Sequence, residues 1–223
     1  IGSTEVCAYA FDQNFRLLSK RKNIAKDEDI KAVRFLGDMG YVVTYQQRDP
    51  LFSIDFSDPE KLKVVDKIEM PGFSGYLHPV KDDLLLGIGE AEDGNAKISL
   101  YDITDNNKLS IYDEKEIDHI KYNNVLEDYR KIFIDEENNI AGFGGTDYGD
   151  SDDEKEENRE QNYYVLYHYD RDGKLQQIGE YPVKKEYRGF INQKFIGMRI
   201  GTWFYVIPEA TSRQEDMEIV PYS

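Results

Sequence analysis

Phe52-Ser53-Ile54-Asp55-Phe56-Ser57-Asp58-Pro59 is one copy of a pattern that occurs four times in this chain of 223 residues. Each copy is a strand of alternating apolar residues that ends in an Asp-containing turn, and a second strand follows that begins at a leucine. The other copies begin at Cys7, Ile98 and Tyr164, and the four leucines are Leu17, Leu62, Leu109 and Leu175. This recurrence indicates a repeated supersecondary unit.

A second kind of hairpin alternates with the first. It runs from Val33 to Tyr45 and recurs at about 77–89, 132–143 and 198–208, with turns rich in Gly, Asp or Asn. One hairpin of each kind makes four strands, and the first three leucines are spaced by about one β-propeller blade, roughly 40–45 residues. We therefore predict an all-β fold, a propeller-like array of about four blade equivalents, each a four-stranded antiparallel blade. A β-sandwich would not explain the alternation.

The sequence predicts a single propeller-type domain over residues 1–223. Its blade units are a partial one at about 5–24, whole ones at 33–70, 75–117 and 130–183, and a partial one at 190–222. Strand exchange between the chain ends would close a ring of four blades. The alternative that we favour is an arc of a larger propeller, because the first copy lacks the hairpin that precedes the others.

Composition limits the classes of partner. A net charge of −16 argues against nucleic acid and anionic membrane surfaces, since both are polyanions. The chain has no apolar run near the roughly 18 residues that span a bilayer, so this fragment is not expected to insert directly into a membrane. Cys7 is the only cysteine, which excludes an intrachain disulfide, and we interpret it as a small buried hydrophobic residue of a strand.

No cofactor or metal site is expected. The acidic run at 147–162 is predicted to be an insertion loop between two strands, because like charges repel and extend a loop. An EF-hand loop that starts at Asp150 would place Lys155 where Gly is needed and Gln161 where Glu is needed. The histidines at positions 78, 119 and 168 lack zinc-site spacing and are interpreted as structural.

No catalytic constellation stands out in the sequence. The candidate binding residues are Arg34, Arg48, Asp49, Tyr76 and His78, because strands of the second hairpin type lie nearer a propeller axis and their loops open on one face. The competing interpretation is structural: Asp49-Pro50 also starts a strand, and Arg48 would pair with an acid.

The stretch from Val33 to Pro59, followed by Ile68 to Pro79 and Leu86-Gly87-Ile88-Gly89, resembles a known family. These are secreted bacterial and archaeal proteins with a C-terminal β-propeller domain distantly related to WD40 repeats. The similarity is strongest from about residue 30 to 115. It implies an extracytoplasmic protein, secreted or anchored at the cell surface through a segment outside this chain, and it implies no reaction.

Two functions remain open from the sequence. The first is a non-catalytic binding or scaffold module that presents propeller faces and loops to a protein or glycan partner at the cell envelope. The second is a carbohydrate-active enzyme, a glycoside hydrolase or lyase, with paired carboxylates near the propeller channel. The enzyme requires two buried carboxylates that converge in a cleft, whereas the binding module does not.

Overall fold

Aspartate side chains close the turns of the repeated hairpins in the computed structural model. Asn14 N donates to Asp12 Oδ1 (2.8 Å) in the first copy, and Ser57 N donates to Asp55 Oδ1 (2.8 Å) in the second. In the third and fourth copies, Thr104 N donates to Asp102 Oδ1 and Gly173 N donates to Asp170 Oδ1. Aspartate stabilises such turns by accepting a bond from the backbone just ahead of it. Each of the four copies therefore contains a turn that an aspartate closes.

The structure describes residues 4–45, 49–81, 83–105, 108–149, 161–183, 194–208 and 218–221. The strands are β1 (Glu5–Phe11), β2 (Leu17–Lys26), β3 (Asp29–Leu36), β4 (Met39–Tyr45), β5 (Asp49–Asp55), β6 (Lys63–Met70), β7 (Phe73–Val80), β8 (Leu84–Glu90), β9 (Ala96–Asp102), β10 (Ser110–Ile117), β11 (Tyr122–Asn123), β12 (Phe133–Asp135), β13 (Ile140–Asp147), β14 (Gln161–Asp170), β15 (Lys174–Val183), β16 (Phe195–Ile200), β17 (Trp203–Pro208) and β18 (Glu218–Pro221). Helix α1 (Asn124–Glu127) and a 3₁₀ turn (Tyr129–Lys131) lie between β11 and β12.

The strands form several antiparallel sheets, which confirms the all-β prediction. Two sheets have four strands in chain order, β3-β4-β5-β6 and β7-β8-β9-β10. A third contains β13, β14 and β15, with β11 and β12 both paired to β13, and the chain ends form the partial sheets β1-β2 and β16-β17-β18.

The chain divides into two compact units. Unit 1 comprises residues 1–93 and 98–114, and unit 2 comprises residues 94–97 and 115–223. In unit 1, the sheet β3–β6 has a core on each face because successive strand residues point to opposite sides. Tyr41 and Val43 pack towards Leu77 and Leu85 of the sheet β7–β10. On the other face, Val42, Phe52 and Ile54 pack against Val6, Ile24 and Ala25 of the β1–β2 hairpin.

Unit 2 is built around aromatic residues, among them Tyr164, Phe195 and Phe204, which are buried. Its first sheet departs from a regular blade, because β11, α1, the 3₁₀ turn and β12 take the place of a single inner strand. Asn123 caps α1 by accepting from Leu126 N (3.2 Å), and the buried Asn124 Oδ1 accepts from Phe195 N (2.9 Å) of β16. Strand β11 pairs with β13, so this sheet includes residues 122 and 123.

The predicted acidic insertion at 147–162 lies mostly outside the described residues. Strand β13 ends at Asp147, and β14 begins at Gln161. Asp147 Oδ1 accepts from Gly149 N at 2.8 Å, so the loop starts with another aspartate turn.

Candidate functional site

Two of the predicted binding residues, Tyr76 and His78, contact each other on β7. The Tyr76 hydroxyl lies 3.0 Å from His78 Nδ1, and the two rings stack with centroids 6.1 Å apart and an angle of 18° between their planes. Both side chains are half-buried. The pair is a hydrogen-bonded feature of β7, which is the edge strand of its sheet.

Arg34 lies on a different face from this pair. It is half-buried on β3 opposite Tyr41, whose face packs towards Leu77 of β7. Tyr76 and His78 flank Leu77 in the strand, so they point to the opposite side of the sheet β7–β10. Asp49 begins β5 opposite Met70. Arg48 and the side chain of Asp49 lie outside the described part of the chain, so the five residues stay a prediction.

The structure brings together three other side chains at one end of the sheets of unit 1, where β3 and β7 begin and β4 ends. Lys31 Nζ lies 5.0 Å from the centre of the Tyr45 ring and 5.6 Å from that of Phe73. The two rings are tilted by 49° with centroids 5.5 Å apart. We call Lys31, Tyr45 and Phe73 the lysine–aromatic cluster. A cation over aromatic faces contributes about 0.5–1 kcal/mol at an exposed site.

One carboxylate borders the lysine–aromatic cluster. Glu90 ends β8 opposite Phe73, and burial raises the pKa of its carboxyl, while the nearby Lys31 charge partly offsets that rise. Glu28 accepts a hydrogen bond from the buried Thr44 hydroxyl, which alternates with Tyr45 along β4 and therefore points to the other face of that sheet. The cluster therefore combines two aromatic rings, one ammonium and one acidic neighbour.

Glu90→Gln is expected to stabilise the protein at pH 7 and to change little at pH 3.5. Because the pKa of the Glu90 carboxyl is higher in the folded protein than in the unfolded protein, the ionised carboxyl lowers the free energy of unfolding at pH 7. Below the ordinary pKa of 4.5 the carboxyl is protonated in both the folded and the unfolded protein, and this loss of stability disappears. Urea unfolding midpoints at the two pH values measure the difference, with the exposed Glu92→Gln as control. An equal effect of Glu90→Gln at both pH values would contradict the burial argument.

The lysine–aromatic cluster can hold a ligand by stacking and by charge. Tyr45 is 42% exposed and Lys31 is exposed, so a ring face and an ammonium are accessible together. Planar apolar faces of a sugar or an aromatic side chain stack on such rings, and the ammonium donates to hydroxyl or carboxylate oxygens. Sequence reasoning missed these residues, although each lies near a strand end on the same side of the predicted hairpins.

Unit 2 contains a separate set of polar side chains that contact one another. His119 Nε2 lies 3.2 Å from Glu180 Oε1, and the His119 ring packs edge-on against Tyr163 at 5.0 Å. Gln177 Nε2 donates to Glu180 Oε2 (2.8 Å), and the Tyr167 hydroxyl donates to Gln177 Oε1 (3.1 Å). Burial, reinforced by Glu180, raises the pKa of Tyr167 to about 12. We interpret these side chains as structural because Gln177 joins the Tyr167 hydroxyl to the Glu180 carboxylate through two hydrogen bonds.

Within the described residues, no three His, Cys, Asp or Glu side chains converge as a metal ion requires. None of the helices in the described segments has the length and apolar character needed to cross a bilayer.

The chain is similar in sequence to two archaeal proteins. It is 40% identical to the uncharacterized protein MJ1554 of Methanocaldococcus jannaschii over 136 residues, which are 59% of this chain and 21% of that protein. It is 45% identical to an uncharacterized protein of Archaeoglobus fulgidus over 97 residues, which are 44% of this chain and 16% of that protein. The chain thus matches about a fifth or less of each of these relatives' length.

Among solved structures, a hypothetical selenium-binding protein from Sulfolobus tokodaii aligns with a TM-score of 0.51 and 11% identity, covering 76% of this chain and 45% of that one. At this identity the likeness shows the fold alone. The model of the family described as "Beta propeller domain" matches residues 3–200. With four-stranded antiparallel sheets, repeated aspartate turns and this match, the chain belongs to the beta propeller domain family.

Proposed function

We propose that the chain is a non-catalytic binding or scaffold module that holds a protein or glycan partner at the cell envelope. The observation that carries the proposal is the lysine–aromatic cluster, because Tyr45 and Lys31 are both exposed there at one end of the sheets of unit 1. Tyrosine is one of the residues enriched at the positions that contribute most to binding energy.

The extracytoplasmic location is part of the same proposal. It is supported by the resemblance of the segment from Val33 to Pro59 to secreted bacterial and archaeal propeller proteins distantly related to WD40 repeats. An acidic surface with net charge −16 is compatible with a partner that is not a polyanion. The protein would be secreted or anchored through a segment outside this chain.

One observation favours the alternative of a carbohydrate-active enzyme. Glu90 is half-buried with a raised pKa, as a general acid for glycoside cleavage would be. Its strongest charged neighbour is the cation of Lys31, whereas glycosidases need a second carboxyl within about 5–10 Å. We therefore rank this function second.

Capture of envelope material tests the binding function. The chain is immobilised and exposed to solubilised envelope proteins and cell-wall glycans of its source, and the retained components are identified by mass spectrometry. In parallel, the double variant Lys31→Ala/Tyr45→Ala is tested, since it removes the ammonium and one ring. Lys20→Ala/Tyr129→Ala is the matched control, because both of its residues are exposed and lie outside the cluster.

We expect a defined component that the unmodified chain and the control retain and that the cluster variant loses by about tenfold or more, which corresponds to about 1.4 kcal/mol of binding free energy. Equal retention by all three proteins would exclude the cluster as the binding surface. A retained glycan that is recovered as cleaved fragments would replace the binding module with the enzyme.

A further inference from the structure

Lys31 is the extra residue of a β-bulge in β3. The pairing of β3 with β4 shifts by one residue between Ile30 and Ala32, so Lys31 has no directly opposite residue on β4. Bulges of this kind re-aim side chains, and they are frequent beside functional sites. The Lys31 ammonium lies over the rings of Tyr45 and Phe73, which belong to two different sheets. The local backbone therefore places a hydrogen-bond donor against the exposed Tyr45.

Glu90 supplies a hydrogen-bond acceptor near this donor. It ends β8 opposite Phe73 and is half-buried, and the charge of Lys31 acts on its carboxyl. A lysine ammonium only donates hydrogen bonds, and an ionised carboxylate only accepts them. Tyr45 remains 42% exposed beside both groups. The lysine–aromatic cluster and Glu90 therefore offer a ligand an aromatic surface, a donor and an acceptor.

Three classes of ligand match this combination poorly. A cation would meet the rings where the Lys31 ammonium already lies. An anion would be attracted by Lys31 but repelled by Glu90 and by the net charge of −16. An aromatic side chain of a protein would stack on Tyr45, but it would remove water from both charged groups without giving them hydrogen bonds, which is unfavourable.

A neutral sugar matches all three features. One face of a hexopyranose presents C–H groups that pack on an aromatic ring, and its hydroxyls both donate and accept hydrogen bonds. Hydroxyls can therefore accept from Lys31 and donate to Glu90 while the C–H face covers Tyr45. We propose that the lysine–aromatic cluster binds a neutral hexopyranose unit of a glycan, an inference that rests on the binding function proposed for the same cluster.

Nuclear magnetic resonance titration of the 223-residue chain at pH 7 tests the class of sugar. The probes are the methyl glycosides of glucose, galactose and mannose, each paired with the methyl glycoside of its uronic acid. Each is added to about 50 mM, because ligands of this size bind in the millimolar range. The resonances of the Tyr45 ring and the Lys31 side chain report binding. The ring of Tyr129, which is 66% exposed in unit 2, is the internal control.

We expect at least one neutral glycoside to shift the Tyr45 and Lys31 resonances and to leave those of Tyr129 unchanged. Its dissociation constant is expected to be at least about fivefold lower than that of its uronate partner, because Glu90 repels the second carboxylate. Tyr45→Ala raises the constant by about tenfold or more, whereas Tyr45→Phe keeps the ring and stays within about threefold. Glu90→Gln lowers the preference for the neutral sugar by about threefold or more.

Two results would overturn the inference. One is the absence of shifts at Tyr45 and Lys31 with all the neutral glycosides, and the other is a uronate that binds as tightly as its neutral partner. The proposed binding function survives either result if an envelope component is retained by the unmodified chain and lost by Lys31→Ala/Tyr45→Ala. Conversely, a neutral glycoside that binds the cluster, without any envelope component that depends on the cluster, would support this inference and overturn the envelope role.

Discussion

Gly89→Ala is expected to destabilise unit 1 by about 3 kcal/mol or more. A Cβ atom at this position would lie 1.6 Å from the backbone oxygen of Phe73 and 2.7 Å from the Cα of Ser74. Those atoms belong to the paired strand β7, at the β-bulge between Ser74 and Tyr76, and cannot move as a side chain can. The strands must therefore separate locally to admit the methyl group.

Urea unfolding followed by far-ultraviolet circular dichroism measures this effect. Gly37→Ala is the matched control, because Gly37 has φ +56° with no atom near an added Cβ, so only backbone strain of about 1–2 kcal/mol is expected. A shift of the midpoint by Gly89→Ala that is no larger than that of the control would contradict the close approach of β7 and β8.

Phe204→Ala is expected to lower the free energy of unfolding of unit 2 by about 3–5 kcal/mol. The Phe204 ring is fully buried on β17, with its centroid 4.9 Å from that of Phe133 and 5.4 Å from that of Tyr164. Its removal leaves a cavity lined by rings from β12 and β14, and the neighbouring strands cannot close it without breaking their ladders.

The adjacent Trp203 provides the control for this substitution. It points to the other side of β17 and is 52% exposed, so Trp203→Ala is expected to cost less than about 1 kcal/mol. Thermal unfolding by circular dichroism compares the two variants. Similar midpoints would show that the faces of β17 are assigned wrongly.

The hairpins were predictable from the sequence because their determinants are local. Alternation of apolar residues predicts a strand with one buried face, and an aspartate before a polar turn predicts the reversal. Asp12, Asp55, Asp102 and Asp170 make these contacts with residues a few positions ahead. The four-stranded sheets follow when two such hairpins are adjacent in the chain.

The composition of the candidate site was not predictable in the same way. Arg34 and Tyr76 were grouped from their place on inner strands, but the bulge between Ser74 and Tyr76 reverses the side to which Tyr76 points. Ser74 faces the core through its 2.8 Å contact with the Tyr101 hydroxyl, whereas Tyr76 faces away from it. A single extra residue in a strand changes which side chains share a face of the sheet. No local sequence pattern indicates the bulge in β7.

The lysine–aromatic cluster depends on packing between sheets. Lys31 and Tyr45 belong to one sheet and Phe73 to the next, so their meeting requires the registers of both hairpins and the stacking of the sheets. The irregular inner edge of unit 2 has a similar cause, because Asn124 on α1 is held by the distant Phe195 backbone. The periodicity of apolar residues does not predict such contacts between residues that are distant in the sequence.

The affinity of the unmodified chain and of Lys31→Ala for one purified envelope component tests the binding account most directly. Titration calorimetry gives both dissociation constants, and mass spectrometry of the component before and after incubation detects any cleavage. The account predicts a dissociation constant at least about tenfold higher for Lys31→Ala, with the component recovered intact. Equal dissociation constants, or a component recovered in fragments, would contradict it.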